Sequence, residues 1–213
     1  MKKTFIAIII FFALGLIACA GSDSHEKEKS TELDKQITQS LNDFVNRPVY
    51  KELTEQIIDT IPDNKLIQVI FDNLSGKQPE NHQNVYATVM SWNKSRQAIY
   101  MIWMLEAEVN NGGFNQFYFN FSGQFYKQLP AALKLVGAKQ FAGLMQNAND
   151  LFEKENAKIT QHQDGTLEGF SESYVDNPLN KLDERFYDLY KKESLSELQI
   201  AYIRSHKTDF TDK

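Results

Sequence analysis

One cysteine, 4 histidines and 5 prolines in 213 residues leave little for several kinds of chemistry. A lone cysteine cannot form an internal disulfide, so the fold rests on a hydrophobic core rather than on covalent staples. His25, His82, His162 and His206 lie far apart, with no H-x-x-x-H or H-x-x-E-H arrangement. No metal site is therefore expected; His25 belongs to a solvated tether, and His82, His162 and His206 are read as surface or capping groups. No G-x-S-x-G precedes a helix and no G-x-x-x-x-G-K-[ST] occurs, so neither an elbow serine nor a phosphate-cradling loop is indicated. Strand-like alternation is missing over any useful length, as is an internal repeat. A basic surface is missing too: 23 Lys and Arg face 28 Asp and Glu, for a net charge of −5. That balance argues against direct nucleic-acid binding. No cofactor is implied, and no enzyme class is favoured.

What the chain does have begins at its first residues. Positions 1–18 carry two lysines, an apolar core over 5–17 and small residues at the end, the pattern of a signal peptide. Leu16-Ile17-Ala18-Cys19 resembles the lipobox of bacterial lipoproteins, with Cys19 as the lipidated residue. Lipidation also removes the liability of a free thiol in an oxidising compartment. The expected localisation is thus exported and lipid-anchored, on the extracytoplasmic side of a bacterial membrane. Residues 19–31 hold no large apolar side chain and read as a solvated tether, leaving 32–213 as one folded domain. Loss of Lys2 and Lys3 with the signal peptide makes the remaining chain two units more negative.

Apolar residues in the folded part recur at helical steps. Leu33, Ile37, Leu41, Phe44 and Val45 mark a first amphipathic helix; Leu53, Ile57 and Ile58 mark a second that ends before Pro62. Asp63 is the expected N-cap of a third, closed by Gly76. A helix from Val85 is interrupted near 93–95. Pro130, Leu133 and Val136 give a short helix stopped at Gly137, and Phe141 to Phe152 a longer one. The period fails over 156–177, which reads as a long loop. It returns at Leu179 to Tyr190, and Ser194 with Glu197 resembles a capping box for the last helix. The fold class is all-α, a single-domain helical bundle.

Its centre is the stretch around Glu106-Ala107-Glu108-Val109-Asn110-Asn111-Gly112-Gly113. A nearly unbroken apolar run precedes it, too continuous for a surface helix. Asparagine and glycine then stop that helix. Phe114, Phe117, Tyr118, Phe121 and Phe125 follow at three- and four-residue steps, so an aromatic-faced helix folds back on the first, ending by Gly123. Glu106 and Glu108, two apart, fall on different faces and make a poor catalytic pair. Two readings of Glu106, Glu108, Asn110, Asn111, Gly112, Gly113, Asn115, Gln116 and Asn120 stand side by side. They line a small-molecule pocket, or their polar groups satisfy one another at a buried junction. The second is favoured.

The run from Glu108 to Phe117, followed by Asn120, Gly123, Leu133, Val136, Gly137 and Ala138, resembles the signature of a bacterial domain-of-unknown-function family. The best-known member of that family is a DNA-mimic protein, and the resemblance spans about residues 85–210. It implies an all-helical, often homodimeric fold with no established enzymatic activity. The DNA-mimic member binds a DNA-binding protein through acidic surface. The shared residues here are apolar, amide and glycine, so mimicry itself does not follow from them.

Charge is uneven along the chain. Residues 86–146 hold two acids and five bases, whereas 147–184 hold nine acids and three bases. Asp150, Glu153, Glu155, Asp164, Glu168, Glu172 and Asp176 form a candidate surface for a protein partner with a basic face. The functional expectation is a membrane-anchored, non-catalytic protein-interaction module. The alternative is a small-molecule-binding protein or uncharacterised enzyme with its pocket near the Asn-Asn-Gly-Gly turn.

Overall fold

A computed structural model describes residues 24–79, 84–164 and 166–212. The signal peptide, Cys19 and His82 lie outside the described residues. The chain divides into two compact units, residues 1–49 and 50–213. The described residues form 12 α-helices and no strand, so the fold is all-α.

In the first unit, α1 spans Ser24–Val45. It begins inside the stretch expected to be a tether, because Glu26, Lys27, Glu28 and Lys29 are good helix formers and nothing breaks them. Leu33, Leu41 and Val45 on this helix are exposed.

The second unit opens with α2 (Glu55–Thr60), whose Thr54 cap accepts a hydrogen bond from the Ile57 N–H. α3 (Asp63–Ser75) buries Leu66, Val69, Ile70, Phe71 and Leu74. Pro62, not Asp63, stands at its cap position; Asp63 is the first helical residue and its carboxylate takes Arg204 at 2.6 Å. Proline suits that place because its missing N–H would be unpaired there anyway. α4 (Val85–Ser91) and α5 (Lys94–Phe119) are separated by Trp92 and Asn93, and Asn93 caps α5 by accepting from the Arg96 N–H.

α5 is the axis of the unit. It packs on α3, α4, a 3-10 turn (Phe121–Phe125), α6 (Leu129–Leu135), α10 (Asn180–Leu189) and α12 (Lys207–Phe210). Its fully buried Phe114 and Phe117, with Phe125, Phe141 and Phe186, make an aromatic core. Phe186 meets Phe114 edge-on at 5.7 Å and Phe141 at 5.2 Å. Each such side chain withdraws enough apolar surface to stabilise the fold by about 1.5–3 kcal/mol. The aromatic helix stops at Phe119, earlier than its aromatic spacing suggests: Phe121 and Phe125 belong to the 3-10 turn, reached after the extended Asn120.

α6 ends where Gly137 takes φ +92°, and α7 (Lys139–Lys154) follows. The region expected to be a loop contains two short helices, α8 (Asn156–Ile159) and α9 (Leu167–Glu172). Thr166 caps α9 by accepting from the Gly169 N–H, and Asp164 Oδ1 in turn accepts from Thr166 Oγ1 at 2.7 Å. Such local side-chain capping supplies helical order without apolar periodicity. α11 (Leu195–Ser205) is capped by Ser194, which accepts from the Glu197 N–H.

The last residues close the unit. Asp212 accepts hydrogen bonds from the Leu53 N–H at 2.9 Å, Asn73 at 3.2 Å, Lys77 at 3.1 Å and Arg96 at 3.1 Å. Its own N–H donates to the Leu53 carbonyl at 2.8 Å. Burial works against this charge, but the Leu53 N–H and the Lys77 and Asn73 side chains prevail and hold the carboxyl below its ordinary range.

Candidate functional site

At Gly112 and Gly113 the backbone of α5 leaves helical geometry, with φ −154° and φ +71° respectively. The positive angle at Gly113 is one that side chains with a Cβ rarely adopt. Space enforces glycine as well. A Cβ on Gly113 would fall 2.2 Å from an Asp183 carboxylate oxygen, and one on Gly112 would fall 2.5 Å from the Tyr174 hydroxyl.

The chain reverses at these glycines, and a carboxylate shows it. Glu108 lies before the turn and is 2 % exposed. Its Oε2 accepts from Gln116 Nε2 at 2.7 Å and from Asn120 Nδ2 at 2.8 Å, and its Oε1 accepts from Ser122 Oγ at 2.9 Å. In a straight helix, twelve residues would separate Glu108 and Asn120 by about 18 Å. Only a hairpin brings them into contact. Gln116 also accepts from Asn111 Nδ2 at 2.9 Å, so the amide bridges both arms of the turn.

Glu106 faces the other way. Its Oε1 accepts from the Tyr190 hydroxyl at 2.8 Å and its Oε2 from Gln199 Nε2 at 2.9 Å, while Asn110 reaches the same hydroxyl at 3.4 Å. Burial pushes the Glu106 carboxyl above its ordinary range, opposed by the hydrogen bonds from Tyr190 and Gln199. The two glutamates therefore share no partner and form no acid–base pair.

Several residues not singled out by sequence complete the junction. Asp183 Oδ1 accepts from the Phe114 N–H at 2.8 Å, placing a carboxylate at the start of the second arm, where a helix N-terminus favours negative charge. Burial raises this carboxyl, against the pull of that N–H. Asn115, fully buried, donates to Ser173 Oγ at 2.7 Å and accepts from Asn177 Nδ2 at 2.8 Å. The Tyr174 hydroxyl donates to the Gly112 carbonyl at 2.8 Å, and the Tyr187 hydroxyl to the Val109 carbonyl at 2.8 Å. Asp183, Ser173 and Asn177 are 58 to 69 residues distant from their partners, and only the recurrence of amides near buried aromatics hinted at such bonds.

The candidate pocket residues are thus bonded to one another, to Ser122, to the 173–190 segment and to Gln199. Two surface depressions lie elsewhere, one lined by Asn93, Arg96, Asp209 and Asp212, the other by Asn84, Tyr86, Phe121 and Gln124. Among the described residues no cluster of His, Cys, Asp and Glu is arranged to hold a metal. Of the candidate acidic surface, Asp150, Glu153, Asp164, Glu168, Glu172 and Asp176 are exposed and Glu155 is partly so. Two of them meet basic side chains: Glu155 lies 3.6 Å from Lys154, and Glu172 lies 2.9 Å from the His162 imidazole.

An all-helical unit built on an Asn-Asn-Gly-Gly hairpin, with an acidic segment docked on its turn, is the class these observations define. Residues 90–206, more than half of the chain, match the DMP19-like protein family, and the chain belongs to that family. No curated protein and no solved structure matches it.

Two predictions follow from the junction. Replacing Glu108 by Ala leaves three buried or half-buried donors unpaired and should cost about 3–5 kcal/mol, with Glu108→Gln in between. Chemical denaturation reads this directly, and an unchanged midpoint for Glu108→Ala would refute the role given to the carboxylate. For Glu106 the sign is opposite to that of a salt-bridged acid. Because its folded pKa is raised, its stabilising contribution is complete below the ordinary glutamate value of about 4.3 and is lost as pH rises through the folded value. Relative to Glu106→Gln, the wild-type protein should therefore lose stability as pH rises from about 4 to 8. A difference that stays flat across that range would exclude it.

Proposed function

We propose that this DMP19-like protein is a membrane-anchored, non-catalytic module that binds a protein partner through its acidic segment. The observation that carries the reading is the division of labour between polar groups. Those at the turn are internally satisfied, whereas the carboxylates of residues 150–176 face solvent with few cations near them. Exposed like charges contribute little to stability but steer a basic partner. The alternative of a pocket at the Asn-Asn-Gly-Gly turn finds its residues occupied with one another. Resemblance to a family with a DNA-mimic member supports protein binding in general; the residues of the signature are interior and supply none of the negative surface.

Anchoring rests on the sequence around Cys19. No helix among the described residues is long and apolar enough to cross a membrane, and acyl chains contribute about 0.8 kcal/mol per buried CH2. Two experiments test the two halves of the proposal. Radiolabelled palmitate should enter the wild-type chain and not Cys19→Ala; equal labelling, or none in either, would sink the anchor. In a pull-down from membrane extract with the full chain as bait, a captured partner should be released by high salt. It should also be lost when Glu153, Glu155, Glu168 and Glu172 are all changed to Gln, by about tenfold or more in affinity. Undiminished capture by that variant would rule out the acidic surface.

A further inference from the structure

The acidic segment also carries the two most exposed large apolar side chains among the described residues. Leu167 is 86 % exposed and Val175 is 68 % exposed. Both project from the same short stretch, and the other side of that stretch is firmly held. Phe170 stands edge-on to Phe119 at 4.9 Å and to Tyr174 at 5.2 Å. Ser173 and Tyr174 bond Asn115 and the Gly112 carbonyl. The inward face of the stretch is therefore fixed to the central hairpin, and its outward face cannot bury Leu167 and Val175 by rolling over.

Helical stagger sets what the outward face presents. α9 continues as turns, with Ser173 N–H bonded to the Gly169 carbonyl and Val175 N–H to that of Glu172, until Asp176 leaves it at φ +51°. Leu167 is the first residue of α9 and Val175 lies in the turns after its end, so the two exposed apolar side chains flank Glu168 and Glu172 in the chain. Glu168 and Glu172, four apart, run beside them, and Asp176 closes the row. Scattered exposed carboxylates need no partner. Two bare apolar groups beside a carboxylate row are different, since an interface combines an apolar centre with a charged rim.

We infer that the ridge of residues 167–176 is a docking surface for a cationic amphipathic helix of a partner protein, with Leu167 and Val175 as its apolar anchors. The inference rests on the acidic-surface reading above and refines it. Charge complementarity chooses the occupant: residues 147–184 carry nine acids against three bases, so the partner's rim is basic. Leucine and valine decide the rest. A surface that reads only phosphate-like charge gains nothing from them, whereas an amphipathic helix offers apolar residues and lysines side by side, as the exposed Leu167 and Val175 among Glu168, Glu172 and Asp176 require.

The test uses the full chain, captured on a sensor and washed free of detergent, against two synthetic helical peptides of equal positive charge. One carries leucines at i, i+4 and i+8 beside its lysines; the other has serines at those places. The leucine peptide should bind at least about tenfold more tightly at about 0.15 M salt and keep its advantage at 1 M, where surface charge is screened. The double variant Leu167→Ser, Val175→Ser should abolish that advantage and leave the serine peptide's binding unchanged. Equal binding of both peptides, weakening with salt, would overturn the apolar anchors and leave the acidic surface standing. Binding of neither would overturn both, and a leucine preference that survives in the double variant would place the contact elsewhere. Since both side chains are exposed, circular dichroism of the double variant should match wild type.

Discussion

A buried carboxylate with no cation beside it holds this fold in its shape. Glu108 is satisfied by three neutral donors, and all three come from beyond the glycine turn. A carboxyl group withdrawn from water is tolerated only when its oxygens are hydrogen-bonded, so the position of the second arm is dictated by where Gln116, Asn120 and Ser122 must stand. Apolar packing alone would accept several registers of one aromatic helix against another. The carboxylate accepts one. From that register follow the left-handed Gly113, the seat of Asp183 over the Phe114 N–H, and the placement of Asn115 opposite Ser173 and Asn177.

The Asn-Asn-Gly-Gly stretch, which lies within the region matched to the family, is internal architecture. Its amides and glycines grip the segment of residues 173–187, and that segment in turn presents α9 with its carboxylates outward. Two layers of the molecule are thus under different physical constraints. Residues at the hairpin are constrained by partners on every side, whereas the ridge can change its charges and apolar anchors without disturbing what lies beneath. Membership in the family therefore specifies a platform more closely than it specifies a partner.

Helical periodicity made most of the bundle legible, because one apolar face per helix is what a layered core requires. The capping serine at 194 and the stop at Gly137 were equally readable from local chemistry, and the interruption expected near 93–95 falls slightly earlier, at Trp92-Asn93. Two regions were not. α9 is held by Thr166 and by contacts to a hairpin fifty residues earlier, and such contacts leave no periodic trace. α1 begins at Ser24 because charged helix formers continue it, although no apolar face calls for a helix there. At the hairpin, sequence suggested that the acids and amides meet. Spacing put Glu106 and Glu108 on different faces but could not name the partners of Glu106, since Tyr190 and Gln199 arrive from the far end of the chain.

The clasp at Asp212 bears on how the molecule is made. It ties together groups 159 residues apart, an unusually long reach for a helical protein, whose contacts are mostly local. Leu53, Asn73, Lys77 and Arg96 all await a carboxylate that is synthesised after nearly everything they pack against. Until it arrives, Lys77 and Arg96 lack the carboxylate they share in the folded unit. The nascent chain can settle its central hairpin early, yet its first helices find their final closure last. Folding of the second unit is in this sense sealed from its end rather than from its beginning.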